Sequence, residues 1–172
     1  MQMKELVGQV MATLVKSYFA DSPMGAGRRP VIRPPAEPWA LAELEARAGQ
    51  LFEVGYRQFL SLTDGLEGFP LVLLGCQDWE PGGLGEAAEE FRETVLDSDP
   101  EDVGISPQTP LFPVAVNVDR SQGIFLIDTA GAAEERFWWT GEGDSFFFVG
   151  FADVLAFLND VGSRDPRESL CT

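Results

Sequence analysis

The groups with which this chain could do chemistry are almost all carboxylates. It carries 28 aspartates and glutamates against 12 lysines and arginines, has no histidine, and holds only Cys76 and Cys171 as thiols. Without histidine it lacks the commonest general base, the usual metal ligand and the ordinary Ser-His and Cys-His dyads. Neither cysteine belongs to a CxxC pair or to a zinc-site spacing. Both are expected to be free thiols in a reducing compartment, with Cys76, which follows a strand-like run, buried and structural. Gly82-Gly83-Leu84-Gly85 opens a helix as phosphate loops do, but no lysine follows, and Glu86, Glu89 and Glu90 would repel a phosphate. The run Asp97, Asp99, Glu101, Asp102 invites comparison with a calcium loop. Counted from Asp97, the position that needs glycine is Asp102 and the one that needs a bidentate glutamate is Gln108, so it fails. Paired carboxylates could serve glycoside hydrolysis, yet with 28 acids among 172 residues some close pairs are inevitable. The expectation is no enzyme, no metal and no cofactor.

The carboxylates instead point to binding. From Leu84 to Asp97 the apolar residues Leu84, Ala88, Phe91 and Val95 recur at the spacing of a helix face turned to a core. Glu86, Glu90, Glu93 and Asp97 repeat that period half a turn away, with Glu89 beside them. The like-charged i, i+4 pairs Glu86/Glu90, Glu89/Glu93 and Glu93/Asp97 each cost roughly 0.2–0.5 kcal/mol, and the helix dipole offsets this at Glu86 but not at Asp97. A solvated helix face is the competing reading of such a charge run.

Net charge is −16 and unevenly spread: residues 1–47 sum to +1 and residues 48–172 to −17. Such a field repels nucleic acid and anionic membranes and attracts basic proteins. The first residues, MQMKELVGQVMATLVKSYF, place Leu6/Val7, Val10/Met11, Leu14/Val15 and Tyr18/Phe19 at helical spacing, interrupted by Gln9 and Lys16. They predict an amphipathic helix rather than a signal peptide, and no stretch approaches the roughly 20 apolar residues of a membrane span. A cytoplasmic location is expected.

The elements that must position these acids follow in order. Pro23 to Pro38 holds five prolines and is read as a linker or strap without regular structure. A helix over about Trp39–Ala48 presents Leu41, Leu44 and Ala48 and is capped by Gly49; another from about Val54 turns Tyr56, Phe59, Leu60 and Thr63 inward and stops at Asp64-Gly65. Phe69–Gly75 reads as a strand, then the acidic helix follows. Four further strands are predicted at Phe112–Val118, Ile124–Asp128, Arg136–Thr140 and Ser145–Gly150, with Val114, Val116 and Val118 on one face of the first. Short polar connections, including a Gly141–Asp144 hairpin turn, make them an antiparallel β-meander. A last helix, about Ala152–Val161, offers Val154, Leu155, Phe157, Leu158 and Val161 to the sheet. The fold class expected is α+β, a meander flanked by N-terminal helices and a C-terminal helix. It divides as an N-terminal helix and strap (1–33), the main domain (34–162) and a polar tail (163–172).

This order of residues resembles the SUKH superfamily. Its opening pattern is a helix with a Leu-Glu pair, a Gly, a Leu-Pro, a Tyr-x-x-Phe-Leu helix and an Asn-Gly-Gly stop. Leu44-Glu45, Gly49, Tyr56, Phe59, Leu60 and Gly65 fit it, whereas Leu51-Phe52-Glu53 and Asp64-Gly65-Leu66 depart from the Leu-Pro and the Asn-Gly-Gly. Phe112-Pro113-Val114-Ala115, the strand ending at Asp128, Phe137-Trp138-Trp139 and the Phe148–Leu158 stretch resemble the later half, and the resemblance spans about Pro34 to Asp160. It implies a helix-flanked antiparallel sheet with no catalytic site, used chiefly by bacterial immunity proteins that bind and neutralise a polymorphic toxin, often a nuclease or deaminase. Other members are regulatory scaffolds.

The function expected is therefore stoichiometric binding of a basic toxin domain or another protein. Glu86, Glu89, Glu90, Glu93, Asp97, Asp99, Glu101 and Asp102 would steer the partner, and aromatic residues would anchor it. Trp138 and Trp139 are adjacent in a strand and point to opposite faces, so on a one-sided sheet one of them is either an exposed anchor or covered by the strap. A regulatory adaptor with an endogenous partner is the alternative. A carboxylate-only hydrolase is a third reading and would need an Asp or Glu of raised pKa in a concave pocket. Oligomeric state is not encoded in any feature of the sequence.

Overall fold

The computed structural model describes residues 1–21, 29–98, 100–128 and 134–163. Its architecture is α+β: a seven-stranded antiparallel sheet in strict chain order, β1 to β7, with helices on both faces. The strands are β1 (Val31–Ile32), β2 (Leu66–Glu67), β3 (Leu71–Leu73), β4 (Leu111–Asn117), β5 (Gln122–Ile127), β6 (Phe137–Gly141) and β7 (Asp144–Phe148). The helices are α1 (Met3–Asp21), α2 (Pro38–Ala48), α3 (Val54–Leu60), α4 (Leu84–Leu96) and α5 (Phe151–Ser163). Gly49 closes α2 at φ 68°, a left-handed conformation that costs a glycine nothing.

Both faces of the sheet are packed. On one, Leu71, Leu73, Phe112, Ile124, Leu126, Phe137 and Trp139 meet Leu6, Val10 and Leu14 of α1, Tyr56 and Phe59 of α3, and Val154, Leu155 and Leu158 of α5. On the other, Val72, Leu74, Val116, Phe125 and Trp138 meet Ala88, Phe91 and Val95 of α4. The strands at the centre of the meander are accordingly near-continuous apolar runs rather than alternating ones.

Several expectations are corrected. The strap is not wholly irregular, since Val31 and Ile32 pair with Glu67 and Leu66. The remaining expectation for that stretch, residues 22–28, lies outside the described residues, as do Cys171 and the tail from residue 164. The boundary read at residue 33 does not divide the molecule, because α1 lies in the same core as α3 and α5. Val114 and Val116 do not share a face. A register shift between Pro113 and Ala115 inserts one extra residue, which carries Val114 to the α5 side and leaves Val116 on the α4 side, while Val118 is 53% exposed. Pro113 sits where a central strand tolerates proline, at a bulge.

Candidate functional site

The acidic helix forms as read. Ala88, Phe91 and Val95 are buried against the sheet, and Glu86, Glu90, Glu93 and Asp97 are exposed, with Asp97 capping the C-terminal end of α4. Gly123 of β5 makes this docking possible: a Cβ there would come within 2.8 Å of the Phe91 ring. Glu101 and Asp102, in the 3-10 turn Pro100–Val103 that follows, are also exposed. Asp99 lies outside the described residues.

The stripe is not uniformly anionic. Glu89 is half-buried and accepts from Arg92 Nε at 2.8 Å, one turn along, and Glu90 lies 3.1 Å from Arg120 on the β4–β5 turn. Glu86 Oε1 accepts weakly from the Gly82 N–H at 3.4 Å, beside the positive end of the helix dipole. Among the described residues, Glu93, Asp97, Glu101 and Asp102 have no cation within ion-pair distance. The free charge thus gathers at the C-terminal end of α4 and in the turn beyond it.

Trp138 and Trp139 do point to opposite faces, but neither is available as a surface anchor. They are 3% and 9% exposed. The premise of a one-sided sheet fails: Trp138 lies in a row of rings from Phe91 through Phe125 to Phe147, and Trp139 packs edge-on against Phe157 of α5. Neighbouring elements supply the cover.

A polar knot that sequence reasoning missed holds β1 to the meander. Arg33 donates through Nη1 to Asp78 Oδ2 at 2.6 Å and to the Asp64 carbonyl at 3.1 Å, and through Nη2 to Glu67 Oε1 at 2.7 Å. Burial works against its charge, but hydrogen bonds and Coulomb attraction to Asp78 and Glu67 outweigh it and hold the guanidinium pKa above its ordinary value. The Asp64 carboxylate in turn accepts from the backbone N–H groups of Cys76 at 2.6 Å and Gln77 at 3.3 Å, and Asp78 Oδ2 from that of Gly75 at 2.7 Å. Asp64-Gly65 reads in sequence as a helix stop, and nothing in the spacing of Arg33, Asp64 and Asp78 shows that they meet.

Beside the knot is a cleft of about 570 Å³ between α2 and the 3-10 turn Cys76–Trp79, lined by Trp39, Glu43, Arg47, Asp64, Cys76 and Trp79 among others. Its chemistry is weak. Both oxygens of Asp64 are engaged by backbone, so it acts as a structural acceptor. Burial, and then the charge of Asp64, push the Cys76 thiol up to about 12, which keeps it protonated and poorly nucleophilic. Arg47 lies over the Trp79 ring at 5.2 Å, a contact that closes one wall. No cluster of potential metal ligands occurs among the described residues. No helix among them is long and apolar enough to cross a membrane. In comparisons with known proteins, no family model and no curated protein matches the chain.

Proposed function

We propose that this chain is a non-catalytic, cytoplasmic protein-binding domain, an immunity protein of the SUKH kind that neutralises a basic toxin domain of nuclease or deaminase type by stoichiometric binding. The observation that carries the reading is the acidic surface at the C-terminal end of α4, where Glu93 is exposed on a helix fixed to the sheet by Phe91, Asp97 is exposed at its C-cap, and Glu101 and Asp102 are exposed in the 3-10 turn that follows. Charges held on a rigid element focus a field without an entropic cost at each encounter, and a field of this sign accelerates association with a cationic surface. The muted chemistry of Cys76 and Asp64 supports binding over turnover. The α+β architecture is of the kind the sequence resemblance implies.

The test has two stages. Cells expressing a basic toxin domain encoded beside this gene should survive only when the chain is co-expressed, and the purified pair should form a complex of fixed stoichiometry. Replacing Glu93, Asp97 and Glu101 together by Lys should then slow association markedly and flatten its salt dependence, because exposed charges act over a screening length of roughly 10 Å at 0.1 M salt. Stability should move by no more than about 0.5 kcal/mol per site. Association rates equal to wild type at low and high salt would leave the stripe as a solvated face and remove the electrostatic support for this function.

A further inference from the structure

The sheet ends at β7, and that edge is unlike its opposite. β1 is two residues long; β7 runs Asp144–Phe148, and among the described residues no strand lies beyond it. Glu142 and Gly143, at φ 53° and 84°, form a two-residue hairpin turn closed by Gly141 and Asp144. Hydrogen-bonded and non-hydrogen-bonded pairs alternate from that closure, so Asp144, Phe146 and Phe148 bond back to β6. The N–H and C=O groups of Ser145 and Phe147 face outward. On either side of these groups Phe146 and Phe147 are 41% and 40% exposed, and Val149, just past the strand, is 57% exposed.

Natural edges are guarded by lysine, proline, bulges or brevity. β7 contains neither lysine nor proline, its pairing with β6 is regular, and it is of ordinary strand length. Phe147 stacks on Trp138 with centroids 6.2 Å apart and closes the row of rings that begins at Phe91 of α4, so the open edge and the acidic helix share one face of the sheet. The described charges that flank the strand are mostly acidic: Glu134 and Glu135 before β6, Glu142 in the turn and Asp153 just after β7 are exposed, against Arg136, whose Nε is tied to the Ile127 carbonyl.

We propose that the outer edge of β7 is the docking site for an extended, cationic-apolar segment of a partner protein, which adds an eighth strand by hydrogen bonding to Ser145 and Phe147 and lays apolar side chains on Phe146 and Phe147. Main-chain pairing supplies affinity in such strand addition, and alternate side chains supply specificity. A second copy of this chain is disfavoured because homotypic pairing would bring two acidic edges within about 5 Å of one another. The inference rests on the partner reading above and locates where that partner is gripped, as distinct from where it is steered.

The experiment uses the full chain and the peptide acetyl-KVKFKVK-amide, with amide exchange followed residue by residue. Exchange at Ser145 and Phe147 should slow about tenfold at high occupancy, with Phe146 and Phe148, already paired, changing far less. The same peptide N-methylated at alternate residues, and the charge-reversed EVEFEVE peptide, should give no protection. Phe147→Lys, which leaves the pairing to β6 intact, should abolish the effect. Protection confined to α4 residues would overturn strand addition while leaving electrostatic steering standing. No binding to either surface would overturn both. A free protein that sediments as a dimer and becomes monomeric in Phe147→Lys would show that a second copy occupies the edge, and would overturn the proposal.

Discussion

Arg33 shows how much one side chain can be asked to do in a segment too rich in proline to hold itself in place. Its guanidinium is 13% exposed and faces Asp78, at 8%, across 2.6 Å, while its contact to Glu67 is 42% exposed on the acid's side. Removing one partner from a buried pair leaves the other charge without compensation, which costs far more than the net worth of the pair. Arg33→Met should therefore destabilise the protein by about 3 kcal/mol, roughly 9 °C in Tm, whereas Glu67→Gln should cost under about 1 kcal/mol. Thermal melts of the two variants check this directly. Cys76 makes a prediction of a different kind. Its folded pKa is raised from 9 to about 12, so the neutral thiol favours the native state below about pH 9 and that contribution is lost as pH rises toward 12. In a Cys171→Ser background, alkylation of Cys76 by iodoacetamide at pH 8 should be slower by about a thousandfold than in the urea-unfolded chain. Equal rates would mean the thiol is not held by burial and Asp64.

At the scale of elements, α4 is where sequence and structure agree most closely, and the reason is physical. A helix half in water and half on a sheet writes its orientation into a 3.6-residue period, so Ala88, Phe91 and Val95 could be separated from Glu86, Glu90 and Glu93 by counting. What counting could not reach was the receiving surface. Gly123 looks like a turn residue in sequence, yet it is a seat in β5 into which Phe91 fits, and Gly123→Ala should cost about 1–3 kcal/mol through overpacking. Urea unfolding measures that cost, and faster exchange of α4 amides relative to those of β4 would localise it. The tryptophans failed for the complementary reason. Alternation along a strand gives the face but not whether the face is covered, and the cover comes from Phe125 and Phe147 of the flanking strands at Trp138 and from Phe157 of α5 at Trp139. The Val114 misassignment is likewise non-local: a bulge exists only in relation to the partner strand. Arg33, Asp64 and Asp78 lay beyond reach because three polar residues with no common period meet only after the sheet has formed.

For the whole molecule, the helix at the N-terminal end is part of the core rather than an appendage. Leu6, Val7, Val10 and Leu14 of α1 are all under 8% exposed, and each such burial is worth about 1.5–3 kcal/mol, a sum comparable with the total stability of about 5–15 kcal/mol typical of a domain. A fragment beginning at residue 29 should therefore show no cooperative unfolding transition and should self-associate through the uncovered surface of α5. Circular dichroism melts and sedimentation would read both effects, and a monomeric fragment with a sharp transition would restore the boundary near residue 33.

The sheet order carries one more consequence, which concerns time. Because β1 to β7 lie in the sheet in chain order, each strand finds its template in the strand synthesised just before it; β4 to β7 can grow by short loop closures, whereas β1–β2 and β3–β4 close over the helices between them. The longest closure is the packing of α1 on α5. The apolar stripe of α1 is made before the sheet, yet it has its main helical partner only when Val154, Leu155 and Leu158 have been made. From the synthesis of α1 to that of α5 the chain carries a hydrophobic helix that lacks its main partner, which makes α1, rather than any strand edge, a segment that a ribosome-associated chaperone would meet.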